Sequence, residues 1–275
     1  SVAGWDVILY PSPAYRRMLF VGIGLALSQQ LVGIDAIQYF LTFILDENGI
    51  TGRRTQGLVL IGLGFVKVIF LFVSAKLFDT KGRRPLLLLG QFGCAFALVL
   101  LSVNFFGDKE SAILGVAALA MYLAFFSIGI GPGAWLVASE VFTTSIRAKA
   151  MSVATFANRL GATVMASTFL SFASAISWSG FFLMLAVVCL AVAFFVHLFL
   201  PETKGRSLED MARYFAEVTG DKSILELEQR IATEQGTSVE MMGQSSSSSQ
   251  QQQQQQQSDA AASRLPEASV SGTML

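Results

Sequence analysis

Charged side chains are scarce in this chain, and their signs balance. They make up 14% of the residues, with 19 Lys and Arg against 19 Asp and Glu. An ordinary soluble domain carries about 25% charged residues, so this composition argues against one. A chain without net charge also creates no general attraction for the phosphates of a nucleic acid, and we expect no nucleic-acid partner.

Cysteine and histidine, which commonly bind metals or take part in catalysis, are also rare in this chain. The chain has two cysteines, Cys94 and Cys189, and a single histidine, His197. Both cysteines lie in apolar stretches, so we interpret them as packing residues rather than as a disulfide or metal site. The glycine-rich stretch 129–133 lacks the Lys-Ser or Lys-Thr of a phosphate-binding loop. The sequence therefore predicts neither an enzyme nor a bound cofactor.

Long apolar runs fill the first 200 residues of the chain. Hydrophobic residues reach 53% and include 23 Phe, and a helix that crosses a bilayer needs about 20 apolar residues. The sequence predicts an all-α membrane protein with six transmembrane helices, at residues 18–45, 56–78, 85–106, 111–142, 148–176 and 180–200. Gly129 to Gly133, with Pro132 between them, interrupt the fourth span, so we expect a bend there.

The segments outside the spans are polar. Residues 1–17 form a lead-in, 201–242 carry a short motif and short helices, and 243–275 form a tail rich in Ser and Gln. The tail cannot bury a core and is expected to be disordered. Ser207 and Asp210 have the spacing of a capping box at the start of a helix.

Basic residues indicate the orientation of the spans. Most of them fall on one side if the spans alternate, and only Arg53, Arg54 and Lys109 fall on the other. The positive-inside rule then predicts a multi-pass protein with both ends of this segment in the cytoplasm. We expect it in the plasma membrane.

Polar side chains interrupt the first span. Gln30, Asp35 and Gln38 fall near one helix face, with Gly33 among them. A carboxylate at the bilayer centre costs roughly 2.5–3.5 kcal/mol on insertion scales, and such groups face protein or water rather than lipid. Two interpretations follow, a helix that lines a path for a hydrophilic solute or a polar seam between packed helices.

Asp35 and Lys67 lie at similar depth in consecutive spans. At 1.5 Å per residue, both are about 15 Å from the outer ends of their helices. Two opposite charges at equal depth are better explained as one intramembrane ion pair than as two separate penalties.

Four motifs occur in a defined order between and within the spans. They are Gln29-Gln30-Leu-Val-Gly-Ile-Asp35, Asp79-Thr-Lys-Gly-Arg83-Arg84, Gly131-Pro-Gly-Ala-Trp135 through Glu140 to Arg147, and Pro201-Glu202-Thr-Lys-Gly-Arg206. In order and spacing they resemble the C-terminal half of the sugar porter branch of the major facilitator superfamily. The resemblance covers about residues 13–211 and implies two inverted three-helix repeats. It also implies a missing N-terminal six-helix half and a monosaccharide or polyol as substrate.

The resemblance further implies roles for single residues. The substrate-binding positions are Gln29, Gln30, Asp35, Tyr39, Trp135 and Asn158, with Tyr39 and Phe40 closing the outer side. A charge cluster that ties the cytoplasmic helix ends together comprises Asp79, Arg83, Arg84, Glu140, Arg147 and Glu202. Thr143 and Ala134 stand where the family usually has proline, so its gating behaviour does not carry over directly.

The combination of Asp35 with Lys67, and the pair Asn158-Arg159, resemble plant polyol and monosaccharide transporters that work as proton symporters. We therefore expect transport of a polyol or monosaccharide with a proton as the coupling ion. Two alternatives remain open. One is a passive facilitator in which the Asp35–Lys67 pair is structural, and the other is a sugar sensor that signals through the tail.

Overall fold

The computed structural model describes residues 5–106, 111–230 and 233, and every regular element within these ranges is an α-helix. The helices are α1 (Asp6–Leu9), α2 (Pro13–Leu31), α3 (Ile34–Tyr39), α4 (Leu41–Glu47), α5 (Arg53–Lys81), α6 (Arg83–Asn104), α7 (Ala112–Ile128), α8 (Ile130–Val141), α9 (Arg147–Phe199) and α10 (Leu208–Thr219). They all belong to one compact unit, Val2–Leu225. In the second unit, residues 226–230 and 233 are helical.

Among the described residues, five helical stretches are long and apolar enough to cross a bilayer. The last of them, α9, has 53 residues, which at 1.5 Å per residue would measure about 80 Å, more than twice the thickness of a bilayer core. Ser177 interrupts α9 with φ 66° and ψ 159°. It divides α9 into two helical segments that correspond to the predicted spans 148–176 and 180–200.

The first predicted span differs from the structure. The sequence predicts one span over residues 18–45 in which Gly33 lets the backbone bend or unwind, whereas the chain divides into three helices, α2, α3 and α4. Gly33 separates the first two with φ 87°, a left-handed conformation that only glycine adopts without strain. Phe40 separates the next two with a non-helical conformation.

Other boundaries lie close to the predicted ones. The break expected within residues 129–133 occurs at Gly129, between α7 and α8. The capping box of Ser207 and Asp210 is present at the start of α10. The predicted loop 107–110 and the Ser- and Gln-rich tail 243–275 lie outside the described residues.

The core lies where α6 packs against α7 and α9, and where α2 packs against α8 and α9. Helix α5 packs on α7 and is the least buried of the long helices, since only Leu63, Ser74 and Phe78 of its side chains are buried. The side of α5 away from α7 is apolar and exposed. The long helices therefore form a layered bundle with α5 at its rim.

Two glycines allow α6 to approach the break between α7 and α8. A Cβ atom added at Gly90 would lie 2.7 Å from the Cα of Gly129, and one added at Gly129 would lie 2.8 Å from the Cα of Gly90. The clashing atoms belong to the backbone, which cannot move aside for an added methyl group as a flexible side chain could. The two helices thus meet backbone to backbone at the position where the chain breaks.

We expect Gly90→Ala to lower the free energy of unfolding by about 1–3 kcal/mol, because the added methyl group overlaps the Gly129 backbone. Gly62→Ala is the matched control, since Gly62 lies within α5 and has no atom within 4 Å of the added methyl group. That control should be neutral or stabilising by about 0.5–1 kcal/mol, because alanine favours helix more than glycine does. Denaturant or thermal unfolding in detergent measures both. Equal stability of the two variants would show that the Gly90–Gly129 contact is unimportant.

Candidate functional site

The breaks in α2–α3 and α7–α8 release backbone carbonyl groups, and side chains from other helices bond to them. The Tyr122 hydroxyl of α7 donates to the Val32 carbonyl at 2.9 Å, next to the break at Gly33. Ser74 of α5 donates to the Ile128 carbonyl at 2.9 Å. Gln29 of α2 donates through Nε2 to the Gly131 carbonyl at 2.8 Å. Each break is therefore stabilised by hydrogen bonds from a neighbouring helix, as backbone at membrane depth requires.

A cavity of about 310 Å³ lies between these breaks. Its lining comes from α2, α3, α5, α7, α8 and α9. The polar and charged lining residues are Gln29, Gln30, Asp35, Gln38, Lys67, Ser127 and Arg159, and the remaining ones are Ile34, Leu71, Phe126, Gly131, Pro132 and Trp135. The volume falls at the lower end of the roughly 300–1,000 Å³ range of small-molecule sites.

Asn158 of α9 holds the two glutamines of α2 in place. It is fully buried, and its Nδ2 donates to Gln29 Oε1 at 3.0 Å and to the Ala26 carbonyl at 2.7 Å. Its Oδ1 accepts a hydrogen bond from Gln30 Nε2 at 3.2 Å. The amide of Asn158 is thus occupied by protein groups, and it orients the side chains that line the cavity.

Two buried polar atoms of the cavity lining have no hydrogen-bond partner among the described residues. They are Gln30 Oε1 and the Ser127 hydroxyl. Both residues are almost fully buried, with 1% and 2% exposure. An unpaired buried polar atom costs free energy, commonly about 1–3 kcal/mol. Gln30 and Ser127 both line the cavity, so two unsatisfied polar groups lie beside it.

The charges of the cavity are arranged differently from the predicted ion pair. Asp35 pairs with Arg159, whose Nη1 lies 3.6 Å from Asp35 Oδ2. Lys67 instead donates to Gln38 Oε1 at 3.0 Å. The prediction of a direct Asp35–Lys67 contact is thus corrected, because equal depth in two helices does not determine which way each side chain points. Both cations still line the same cavity as Asp35.

The structure brings together four of the six predicted binding residues at the cavity surface: Gln29, Gln30, Asp35 and Trp135. Asn158 lies behind them. Tyr39 is 65% exposed and lies outside the lining, while Phe40 stacks on Phe169 at 5.0 Å between ring centroids.

Ser127, Phe126, Gln38 and Arg159 line the cavity but were not among the predicted binding residues. Ser127 is a hydroxyl residue two positions before the helix-breaking Gly129, and this was a usable signal for it. Gln38 shares the polar helix face of Gln30, which was a signal for it as well.

A cluster of charged and polar groups lies at one end of the bundle. Arg83, at the start of α6, makes a bidentate contact with Glu140 of α8, at 2.9–3.2 Å. Glu140 also accepts a hydrogen bond from the Thr203 hydroxyl, which lies after α9. Three separate chain segments are thereby joined by charge-assisted hydrogen bonds, which are stronger than neutral ones.

Glu202 joins this cluster through the backbone rather than through arginine side chains. Its carboxylate accepts hydrogen bonds from the backbone N–H groups of Arg83 and Arg84 at 2.9 and 3.1 Å. Partial burial raises the pKa of Glu202, but the N–H donors of Lys204, Arg83, Arg84 and Thr203 together hold it below its ordinary value. Glu202 therefore caps the start of α6 as an anion.

Three other predicted members behave differently. The Arg84 guanidinium donates to the carbonyl of His197. Arg147 donates to the Phe142 carbonyl at 3.4 Å, and Asp79 is exposed. Among the described residues, neither Arg147 nor Asp79 forms a hydrogen bond or ion pair with the side chains of the cluster. Sequence order indicates which helix ends meet, but not which side chains of a motif reach across.

Comparisons with known proteins agree with the resemblance in the four motifs. Residues 5–215 match the family described as sugar (and other) transporter. The chain is 36% identical to probable polyol transporter 4 of Arabidopsis thaliana over 214 residues, covering 77% of this chain and 41% of the relative. It is 37% identical to the facilitated glucose transporter member 3 of Oryctolagus cuniculus, covering 75% of this chain and 42% of the relative.

A solved structure has the same fold over most of this chain. The proton:xylose symporter XylE, bound to 6-bromo-6-deoxy-D-glucose, aligns with a TM-score of 0.68 and 25% identity, covering 76% of this chain and 44% of XylE. The chain spans less than half the length of these relatives. The family match extends over most of the sequence, and we conclude that this chain belongs to the sugar transporter family, a family of membrane carriers rather than enzymes.

Proposed function

We propose that this chain forms the C-terminal half of a carrier that moves a monosaccharide or polyol across a membrane by alternating access. The observation that carries the proposal is the cavity with its two unpaired buried atoms, Gln30 Oε1 and the Ser127 hydroxyl. The hydroxyl groups of a polyol would supply the missing partners. Trp135 and Phe126 provide apolar surface for its C–H faces.

The proposed topology has six crossings in two inverted three-helix repeats, since α9 changes conformation at Ser177 and can cross twice. A second six-helix half would close the cavity from the opposite side. The basic residues support cytoplasmic ends and a cytoplasmic position for the Arg83–Glu140 cluster. We propose the plasma membrane as its location.

We further propose that transport is coupled to protons. The lining of the cavity carries two cations, Lys67 and Arg159, against one carboxylate, Asp35. Charged groups at the centre of a membrane protein are costly and commonly mark ion or substrate paths. The relative named as a facilitated glucose transporter supports passive facilitation as the alternative. The same cavity would serve a symporter or a passive facilitator, and the two differ only in whether transport is coupled to protons.

Ser127→Ala tests the substrate site. If a substrate hydroxyl bonds to Ser127, its removal should raise the KM for uptake about three- to tenfold, the usual effect of one hydrogen bond. Stability should stay equal or rise, because a buried unpaired hydroxyl disappears. Ser152→Ala is the control, since that exposed hydroxyl bonds the Ala148 carbonyl of its own helix. Uptake of a labelled hexitol and of a hexose gives both KM values, and unchanged values for both solutes would exclude Ser127 from the site.

Asp35 and Arg159 test the coupling. We expect Asp35→Asn alone to reduce surface expression, because Arg159 would then line the cavity without its counter-ion, at a depth where charged groups are costly. Asp35→Asn with Arg159→Gln should restore expression. Asp35→Asn with Lys67→Gln should restore less, because Lys67 bonds Gln38 instead. The restored double variant should equilibrate substrate without accumulating it.

The measurement is uptake in cells without their own carriers, with and without a protonophore. If the protonophore does not change uptake by the wild-type protein, the result would favour the passive facilitator. Full accumulation by the Asp35→Asn, Arg159→Gln variant would mean that this pair is structural.

Glu140→Ala tests the charge cluster as a gate. The change removes the bonds to Arg83 and Thr203, so states in which these helix ends are apart should become more populated. A cysteine introduced at Leu136, which packs against the apolar cluster of Phe78, Leu86 and Ile128, should then react faster with a water-soluble thiol reagent. Arg147→Ala is the control, because Arg147 lies outside the cluster and should leave the rate unchanged. Equal rates in all three proteins would show that the cluster does not hold the helix ends together.

A further inference from the structure

A second cleft lies far from the substrate cavity, at the end of the bundle where α2 begins. It has a volume of about 480 Å³. Arg16, Arg17 and Phe20 of α2, Phe199 at the end of α9, and Val218 and Thr219 at the end of α10 line it. The proposed transport function uses none of these residues.

The two arginines of this cleft are free to bind an anion. Arg16 is exposed and Arg17 half-buried. Within the described part of the chain, neither guanidinium takes part in a hydrogen bond or an ion pair, unlike Arg83 and Arg159 with their carboxylates. A guanidinium has five N–H donors in a planar fork that matches the geometry of a phosphate.

Aromatic rings form the other side of the cleft. Phe20 lies one turn further along α2 than the arginines and is 52% exposed. Its ring meets those of Phe195 and Phe199 edge to face, with centroid distances of 5.6 and 5.3 Å. Pro13, Arg16, Arg17 and Phe20 follow the spacing of one helix face, so cationic and apolar groups lie along the same line.

The wall formed by the end of α10 is held against α2. The Asp221 carboxylate accepts a hydrogen bond from the Ala14 N–H at 3.4 Å. Hydrogen bonds from Ser12 and Ser223, with that of Ala14, lower the pKa of Asp221 to about 2. Asp221 is thus an anion that caps the start of α2. It does not pair with Arg16 or Arg17, which have no carboxylate partner among the described residues.

We propose that this cleft binds the phosphate headgroup of an anionic phospholipid. Arg16 and Arg17 hold the phosphate, and Phe20 and Phe199 pack against the upper part of an acyl chain. The arrangement follows the order of groups in a lipid, with charge at the end of the membrane helix and apolar surface towards its interior. A free phosphate would use the arginines but gain nothing from the phenylalanines. The inference depends on embedding in a membrane and not on which solute is carried.

The test is binding of phosphatidylglycerol to the full-length protein in detergent, followed by native mass spectrometry. Arg16→Ala with Arg17→Ala should weaken binding about 30-fold, the effect expected for two basic residues near a lipid surface. Arg53→Ala with Arg54→Ala is the control, because these adjacent arginines start α5, are both exposed and do not line the proposed cleft. Phosphatidylcholine should bind weakly to all three proteins.

A second variant keeps both charges and tests the apolar side. Phe20→Ala should weaken phosphatidylglycerol binding about fivefold through lost apolar contact, and leave any binding of inorganic phosphate unchanged. Equal losses in the two arginine variants would overturn the proposal in favour of non-specific attraction. If Phe20→Ala does not change phosphatidylglycerol binding, the result would overturn the proposal in favour of a site for a free anion.

Discussion

Backbone groups released at a helix break must find hydrogen-bond partners inside the bilayer, and the described bundle is arranged around this requirement. The breaks at Gly33 and Gly129 expose carbonyl groups, and Tyr122, Ser74 and Gln29 each donate to one beside these breaks. These donors come from α7, α5 and α2. The hydrogen bonds that stabilise the helix breaks therefore also hold neighbouring helices together. The cavity lies between the two breaks.

Two adjacent glutamines differ in how many of their amide atoms bond to protein groups, and this gives them different roles. Gln29 uses both ends of its amide on protein groups, accepting from Asn158 and donating to the Gly131 carbonyl. Gln30 uses only its Nε2, on Asn158, and keeps its Oε1 unpaired. Gln29 thus stabilises the break, while Gln30 lines the cavity and keeps an acceptor that has no partner among the described residues. Asn158, fully buried behind both, pre-orients them, which lowers the entropy lost when a ligand binds.

Much of the fold and part of the site could be predicted because the signals are local. Apolar runs predicted the helices, and the glycines at 129–133 predicted the break between α7 and α8. Contacts across helices could not be predicted in this way. Helical rise gives the depth of Asp35 and Lys67, but the rotation of α3 after the left-handed Gly33 gives Asp35 a different partner, Arg159. Motif order likewise indicated which helix ends meet, while Glu202 bonds backbone N–H groups that no side-chain pattern reveals.

The sequence by itself determined the class of this protein, its membrane helices and its family, because composition, periodicity and motif order are properties of the chain alone. It also predicted Gln29, Gln30, Asp35 and Trp135 as binding residues, and all four line the candidate cavity. Only the tertiary structure decided which polar atoms are paired and which are left free. Ser127 is one hydroxyl in an apolar run of the sequence, and it becomes a candidate contact because it lines the cavity and has no hydrogen-bond partner among the described residues. Whether two polar atoms form a hydrogen bond depends on the distance between their helices and on the direction of their side chains. Helix packing sets both, and the order of residues along the chain does not.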